Sequence, residues 1–298
     1  MNYRIVHTTR YRYEQPVAVS YNEAHLLPRS FTGQTVRGAS LTIDPPCQDY
    51  RDRQDYFGNT ASYFSIADPH REVTITAVSE VQLLPARRQM SFDDDVEWQT
   101  AARSFMTPTD AEALDAAQYC LDSPLARSGA QLRDYAAPSF TPGRPLAQAA
   151  AELVARIHAD FVYDPTATDI ATPLGEVLHS RRGVCQDFAH LAIGCLRSLG
   201  LAARYVSGYL ETLPPPGQVK LQGADASHAW LQVYLPGTGW QDWDPTNNIQ
   251  PADRHVITAW GRDYSDVAPL KGVIYGGGQT HTIEVEVDVT ALPEILEA

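Results

Sequence analysis

Hydrophobic and polar residues alternate in the first part of the chain, as they do along β-strands. The alternation is clearest from Tyr3 to Tyr13, where every second residue shares one face. Further strands are predicted at residues 34–43, 60–66 and 73–84. Turn-forming residues such as Pro45 and Gly58 separate these strands, and this spacing is typical of an antiparallel sandwich or half-barrel. Residues 1–88 are therefore predicted to form an all-β, sandwich-like domain.

The pattern changes to a helical period in the middle of the chain. A helix is predicted from Pro145 to Phe161, with the proline in its first turn and apolar residues on one face. Shorter helices are predicted at residues 110–120, near residue 130 and at residues 174–180. We expect residues 89–144 to be a helical connector and residues 145–298 to form a second domain.

The most regular helical pattern begins at Cys185. Apolar or small residues follow it at helical spacing, namely Phe188, Leu191, Ala192, Cys195, Leu196 and Leu199. Gly200 is expected to end this helix, and Gly183 provides a turn without a Cβ just before it. Cys185 is thus predicted in the first turn of a buried helix. Free N–H groups and the helix dipole favour a thiolate there.

A β-hairpin is predicted after this helix. Strands are expected at residues 201–210, 227–235 and 240–245. The turn Gly237-Thr238-Gly239 joins the last two, so they should pair antiparallel. This pairing places His228 beside Asp244, which Pro245 keeps extended. The predicted arrangement is a thiol on a helix, a base on one strand and a carboxylate on the next.

Thiol catalysis needs a thiolate, a base within hydrogen-bond reach and a group that orients the base. Among the nine histidines, His228 is the candidate whose strand pairs with a carboxylate. His190 lies on the Cys185 helix but points about 140° away at the helical turn angle, and His179 is expected at the surface. A metal site would call for paired ligands such as Cys-Xaa-Xaa-Cys, which these positions lack. We therefore expect neither a metal ligand nor a cofactor.

Three short motifs occur in a fixed order: Gly-Val-Cys-Gln-Asp-Phe-Ala, His-Ala-Trp and Trp-Xaa-Asp-Pro-Thr-Asn. Together they resemble the transglutaminase-like superfamily of papain-type thiol enzymes, over roughly residues 145–250. The resemblance implies that Cys185 is the nucleophile, His228 the base and Asp244 the third member of a triad. It also implies an α+β fold in which the cysteine helix packs on an antiparallel sheet.

The N-terminal part resembles one branch of that superfamily more narrowly. Its similarity is to bacterial transglutaminase-like proteins, considered candidate cysteine proteases, that carry an additional N-terminal β domain. The segments that carry it are Asp55–Asn59, His7–Tyr13 and the Arg262-Asp263-Tyr264 sequence that precedes a glycine-rich turn.

Four other residues are candidates for binding the substrate, namely Tyr163, Gln186, Trp230 and Trp243. The tryptophans should make the site apolar and dry. The backbone N–H of Cys185 is one expected donor of an oxyanion hole, because it lies in the first helical turn. Tyr163 and Gln186 are both candidates for the second donor.

Three further segments are interpreted structurally. Asp93-Asp94-Asp95 is read as a solvated acidic loop, because it lacks the spacing of a calcium-binding loop. Pro214–Gly217 is expected to be a rigid connector, with a position at the rim of the cleft as the alternative. The residues 280–289 alternate as a last strand after the Gly276-Gly277-Gly278 turn.

Charge and composition exclude several classes of function. The formal net charge of −13 makes nucleic acids and anionic membranes poor partners. No segment approaches the roughly 20 apolar residues of a membrane-spanning helix, and the first residues lack the apolar block of a signal peptide. Four cysteines in 298 residues do not indicate a disulfide framework. A cytoplasmic enzyme with a reduced thiol is expected, and no signal fixes its oligomeric state.

Two reactions fit the same triad. A cysteine peptidase or amidohydrolase would form an acyl-enzyme on Cys185 from a peptide or amide substrate and release it with water. An acyl transferase of the transglutaminase type would release it with an amine. The calcium loops of the eukaryotic crosslinkers are missing, which favours hydrolysis. A non-catalytic binding module is the third possibility, although it would be expected to have lost one of the three residues.

Overall fold

Two antiparallel sheets organise the chain in a computed structural model that describes residues 1–84, 95–212 and 225–293. The predicted loop Pro214–Gly217 and the first two residues of Asp93-Asp94-Asp95 lie outside the described residues. Asp95 itself is partly buried, and its carboxylate accepts the backbone N–H of Ala147 at 3.0 Å. It therefore caps the helix that begins at Leu146, a favourable position for a negative charge.

The larger sheet is built around one long strand at the N-terminus. Its strands are β1 (Asn2–Ala24), β2 (Gln34–Asp44), β3 (Asp49–Gln54), β4 (Thr60–Ile66), β5 (His70–Leu83), β12 (Leu270–Gly276) and β13 (His281–Leu292). The first half of β1 pairs with β5 and β13, and its second half pairs with β4 and β12. On the alternating face of β1, Tyr3 and Ile5 are buried against Tyr209 and Val256 of the second sheet. This contact explains the hydrophobic alternation that predicted the strand.

The last strand of the chain, β13, pairs with β1 from Tyr13 opposite His281 to Asn2 opposite Leu292, although the prediction places it in the domain of residues 145–298. The end of the chain therefore returns to the N-terminal sheet. The alternating pattern identifies a strand but carries no information on its partner. The boundary proposed at residue 88 stays a prediction.

The second sheet carries the predicted hairpin. Its strands are β8 (Ala203–Leu210), β9 (Ser227–Leu235), β10 (Gly239–Trp243) and β11 (His255–Gly261). They are antiparallel and lie in the order β10-β9-β8-β11. The predicted hairpin strand 240–245 ends at Trp243, so Asp244 lies just beyond β10. The α+β class, with a helix on an antiparallel sheet, is confirmed.

Helices cover one face of this second sheet. They are α1 (Trp98–Met106), α2 (Ala111–Ala117), α3 (Ala130–Ala136), α4 (Leu146–Asp160), α5 (Leu174–Ser180), α6 (Cys185–Arg197) and α7 (Tyr264–Val267). A 3-10 turn (Gln118–Cys120) and a parallel pair of β6 (Val162–Tyr163) and β7 (Arg182–Gly183) complete the elements. The sequence analysis did not predict α1. No helix in the described ranges is long and apolar enough to cross a membrane.

The helix α6 lies at the centre of the helical layer. From Asp187 to Arg197 its residues are buried on every side, more than a one-sided amphipathic pattern predicts. A Cβ at Gly194 would come within 2.9 Å of the side chains of Leu132 and Leu174, so this glycine allows α3 and α5 to pack closely. Arg197 anchors the end of α6 by donating to backbone carbonyls, including those of Tyr119 and Ala203. Arg197 thereby fixes the C-terminal end of the helix.

The two sheets are joined at the free edge of β11 by two side-chain amides. Gln34 donates to the Ile257 carbonyl at 2.7 Å and accepts the Ile257 N–H at 2.9 Å. In the same way, Asn59 donates to the Trp260 carbonyl at 2.8 Å and accepts the Trp260 N–H at 3.0 Å. Both amides are fully buried. They replace a neighbouring strand and satisfy backbone groups that an edge strand would otherwise leave open. The Asp55–Asn59 segment is thus a docking element between the sheets.

Candidate active site

Cys185 is the first residue of α6 and is partly exposed. Asp187 holds the start of the helix, because its carboxylate accepts the Val184 N–H at 2.8 Å and the Thr168 hydroxyl at 2.6 Å. A Cβ at Gly183 would lie 2.7 Å from that carboxylate. Gly183 is therefore required by the close approach of Asp187. The N–H of Cys185 lies in the first turn, where backbone donors have no partner within the helix.

The structure brings His228 and Asp244 together. His228 lies at the start of β9, and its Nε2 is 2.8 Å from Oδ2 of Asp244. The carboxylate is fully buried, whereas the imidazole keeps a small exposed edge. Hydrogen bonding to Cys185 and the charge of its thiol contribute to the raised pKa of the same ring. The imidazole is therefore influenced by both the thiol and the carboxylate.

The carboxylate of Asp244 accepts more hydrogen bonds than a triad requires. Oδ2 also accepts from Nε2 of His255 at 3.0 Å and from the Asn247 side chain at 2.7 Å. Oδ1 accepts the backbone N–H groups of Thr246 and Asn247 at 3.0 and 3.2 Å. Burial alone would raise the pKa of Asp244, but these bonds and the charge of His228 hold it well below its usual range. The residue is therefore a permanent anion at physiological pH.

The pKa of His228 is shifted in the opposite direction, upwards. Burial alone would lower its pKa, but hydrogen bonds to Asp244 and Cys185, together with their charges, raise the pKa to about 10. The imidazole is therefore protonated at neutral pH, the state that pairs with a thiolate. A thiolate–imidazolium pair is the activated form of a cysteine nucleophile.

The predicted role of Trp230 in binding substrate is wrong, because the side chain is fully buried. Its ring stacks behind His228 with centroids 5.8 Å apart, and its indole N–H donates to Asp242 at 2.7 Å. A Cβ at Gly208 would lie 2.7 Å from the indole, so Gly208 makes room for it. Trp230 thus supports the imidazole from the side away from solvent.

Trp243 also offers no surface to a substrate. Its side chain is 4% exposed and belongs to the main hydrophobic core with α6. The alternation of β10 directs it to the face opposite Asp242 and Asp244. Its predicted role in substrate binding is therefore corrected to one in packing.

The two other candidates lie at the start of α6. Tyr163 is 55% exposed and pairs with Gly183 through β6 and β7. Burial and then the charge of Cys185 raise the pKa of the phenol, which places the tyrosine beside the thiol. Gln186 is partly buried, and its side chain donates weakly to the Ile170 carbonyl at 3.4 Å. Tyr163 therefore remains open to a ligand, whereas Gln186 is directed to the neighbouring loop.

The competing histidines are placed outside the site. His190 is buried and accepts the Tyr264 N–H at 3.1 Å, and burial lowers its pKa to about 4. His179 is exposed on α5. All four cysteines are free thiols, and burial raises the pKa of Cys120 and Cys195 to about 12. None of these groups competes with Cys185 and His228.

His255 and Asn247 are partners of Asp244 that were not predicted from the sequence. His255 opens an apolar strand, and an isolated polar residue in such a strand is a signal that its side chain has a buried partner.

Within the described residues, His228, Asp244 and His255 also form the cluster most suited to a metal ion. Two ligands of a tetrahedral zinc would lie about 3.4 Å apart, given bonds of about 2.1 Å. The observed separations from Oδ2 are 2.8 and 3.0 Å, which are hydrogen-bond lengths. The geometry therefore fits a hydrogen-bonded network better than a metal centre.

Comparison with known sequences and structures finds matches along most of the chain. A family described as the bacterial transglutaminase-like N-terminal region matches residues 3–82, and the transglutaminase-like superfamily matches residues 133–245. An uncharacterized protein of Mycobacterium tuberculosis is 42% identical over 293 residues, 96% of this chain and 92% of its own. A protein-glutamine gamma-glutamyltransferase of Pseudomonas aeruginosa is 31% identical over 141 residues, 45% of this chain and 21% of its own.

A solved structure also shares the fold. It is described as a candidate cysteine protease of Cytophaga hutchinsonii and covers 99% of this chain and 92% of its own, with a TM-score of 0.75 and 20% identity. At this identity the likeness establishes the shared architecture alone.

Proposed function

Because the chain belongs to the transglutaminase-like superfamily, with the N-terminal region of its bacterial members, we propose that it is a thiol-dependent hydrolase of amide or peptide bonds. In this proposal Cys185 is the nucleophile, His228 the general base and acid, and Asp244 the residue that orients His228. The observation that carries the proposal is the 2.8 Å hydrogen bond between His228 and the buried Asp244, beside a thiol at a helix start.

Acylation begins from the thiolate–imidazolium pair. The sulfur of Cys185 attacks the carbonyl carbon, and the C–N bond breaks as His228 gives its proton to the departing amine. The product is a thioester on Cys185. The oxyanion formed on the way would accept a hydrogen bond from the Cys185 N–H, and Tyr163 is our candidate for the second donor.

Deacylation uses the same groups in reverse. Neutral His228 takes a proton from water, whose oxygen attacks the thioester carbonyl. The C–S bond then breaks, the carboxylic acid leaves and the proton on His228 restores the ion pair with Cys185. Asp244 keeps the ring in one orientation throughout and remains ionised.

An acyl transferase is the second candidate. The Pseudomonas aeruginosa relative named as a gamma-glutamyltransferase is the observation that favours it. An amine would replace water in the second half of the reaction, and every residue named above would keep its role. We rank hydrolysis first because the calcium loops of the eukaryotic crosslinkers are not found in the sequence. A binding module without activity ranks last, since Cys185, His228 and Asp244 are all present.

The proposal extends to partners and location. We propose a peptide or amide as the substrate, no nucleic-acid or membrane partner at a net charge of −13, and a cytoplasmic location suited to four free thiols.

The deciding experiment is a screen of peptide amides, with and without an added primary amine, read by mass spectrometry. A hydrolase releases the free acid in both conditions, whereas a transferase yields the amine adduct when the amine is present. Cys185→Ala is the control for background reaction. Equal turnover by wild type and Cys185→Ala would refute both candidates.

A further inference from the structure

A second histidine, His255, reaches the catalytic carboxylate from the edge strand β11. His228 and His255 belong to β9 and β11, the strands that flank β8, and they lie opposite Gly208 and Leu210 of β8, respectively. Both rings place Nε2 at Oδ2 of Asp244, at 2.8 and 3.0 Å. The carboxylate is therefore held between two imidazoles.

The two imidazoles have different surroundings. His228 keeps an exposed edge towards the thiol, whereas His255 is 2% exposed. The ring of His255 packs against the edge of Trp230 at 5.2 Å and 80°, and Trp230 in turn stacks on His228. One buried tryptophan thus sets the planes of both rings, and its own indole is fixed by Asp242.

The other partner of Oδ2 cannot replace His255. Asn247 lies in an exposed turn, where water competes for its amide. The backbone N–H groups of Thr246 and Asn247 hold Oδ1 of Asp244. At Oδ2, His255 is the buried side-chain donor beside His228, and it keeps this oxygen directed towards the His228 ring.

We infer that His255 is a positioning residue, which holds Asp244 in the orientation that keeps the His228 ring aligned with Cys185. This inference rests on the triad of the proposed function. His255 does not touch the reacting atoms in this scheme and transfers no proton. Its contribution is to restrict the carboxylate to one rotamer, which preorganises the base.

The test is the rate at which iodoacetamide alkylates Cys185 in the intact protein, measured across a pH series. His255→Leu removes the donor and keeps an apolar side chain, and we expect the alkylation rate near neutral pH to fall about tenfold, as expected for the loss of one hydrogen bond to a charged group. His255→Gln places an amide nitrogen near the former Nε2, and we expect it to restore most of the rate. His7→Leu is the matched control, because His7 is equally buried but bonds to Tyr209 and Thr9.

A double-mutant cycle separates positioning from general stability. If His255 acts through Asp244, His255→Leu should add little to the loss already caused by Asp244→Asn, whereas independent effects would add. Additive losses, or a folded His255→Leu protein with the wild-type rate, would overturn the inference. If His255→Leu does not fold, His255→Asn replaces it, since its shorter amide cannot reach Oδ2. Equal rates for the Gln and Asn variants would then overturn it.

The assay distinguishes this inference from the proposed function, because alkylation requires no substrate. If Cys185 is activated but its alkylation rate does not depend on His255, the inference is contradicted and the proposed triad is not. If Cys185 reacts no more slowly after the loss of His228 than before it, the triad itself is contradicted.

Discussion

Two buried polar clusters, one at Asp244 and one at the edge of β11, have similar numbers of hydrogen bonds but different roles. At Asp244 the acceptor is a charged carboxylate, and two of its donors are histidines. At the edge of β11 the partners are the neutral amides of Gln34 and Asn59 and the backbone. The first cluster is built from titratable groups and sets the state of a thiol. The second reproduces strand pairing through neutral amides, and Asn59 also bonds to the charged side chains of Arg29 and Asp55.

The difference implies that the clusters respond to different perturbations. Changes at Asp244 should alter reactivity and its pH dependence while leaving the fold largely intact. Changes at Asn59 should lower stability and leave the reactivity of Cys185 intact in the folded fraction. The following predictions test this separation, from the largest effect to the smallest.

The largest expected effect is the loss of turnover in Cys185→Ala and His228→Ala. Each should lower kcat by about a millionfold, because each removes a group that reacts, and the double variant should be little worse than either. The measurement is hydrolysis of the best amide from the screen, with folding checked by circular dichroism. An active His228→Ala enzyme would show that the base has been misassigned.

Asp244→Asn should cost less, about ten-thousandfold in kcat against about a millionfold for the loss of a reacting group, because it disturbs the orientation of His228 and removes no reacting group. A greater loss than in Cys185→Ala would contradict the assigned roles.

The same variant should also change the dependence of stability on pH. The folded-state pKa of His228 is raised from 6.5 to about 10, so the stability it contributes is fully present below pH 6.5 and is lost as the pH rises through about 10. Urea unfolding of the wild type should therefore show a falling free energy between pH 7 and 10. Asp244→Asn should show a flatter decline, and an identical decline in both proteins would argue against the ion pair.

Asn59→Ala tests the docking cluster. It leaves the buried N–H and C=O of Trp260 without partners, and each such group costs about 1–3 kcal/mol of unfolding free energy. Gln131→Ala, at an exposed position on α3, is the control and should change stability little. The alkylation rate of Cys185 should stay near the wild-type value. If Asn59→Ala strongly lowers the alkylation rate of Cys185 without lowering the free energy of unfolding, the two clusters do not have separate roles.

The smallest effect is expected for Tyr163→Phe. If the phenol is the second oxyanion donor, kcat should fall about tenfold with KM nearly unchanged, because the bond forms in the transition state. A raised KM with an unchanged kcat would instead assign Tyr163 to substrate binding.

The sequence predicts those parts of the fold that local patterns determine. The start of α6 at Cys185, the hairpin that joins His228 to Asp244 and the α+β class follow from periodicity, turn residues and the family motifs. The resemblance to the transglutaminase-like superfamily is confirmed by the matches to both of its parts.

The features that were missed depend on contacts between distant segments. The alternation in β13 predicts a strand but not its pairing with β1, because the same alternation fits any sheet with one buried face. Asn59 looks like a turn residue in the sequence, and its bond to Trp260 appears only when the two sheets meet. Trp230 and Trp243 were assigned to the substrate because an aromatic residue near a catalytic histidine does not reveal which face of the strand is covered.

The reactivity of Cys185 is the most direct test of its role as the nucleophile. It can be measured with a limiting amount of iodoacetamide. After brief alkylation of the native protein, peptide mapping should find the label on Cys185 ahead of Cys47, Cys120 and Cys195. The same experiment with His228→Ala should remove this preference, because the thiolate loses its counter-ion. Labelling of Cys47 or Cys120 with Cys185 left unmodified would contradict the assignment of Cys185 as the nucleophile.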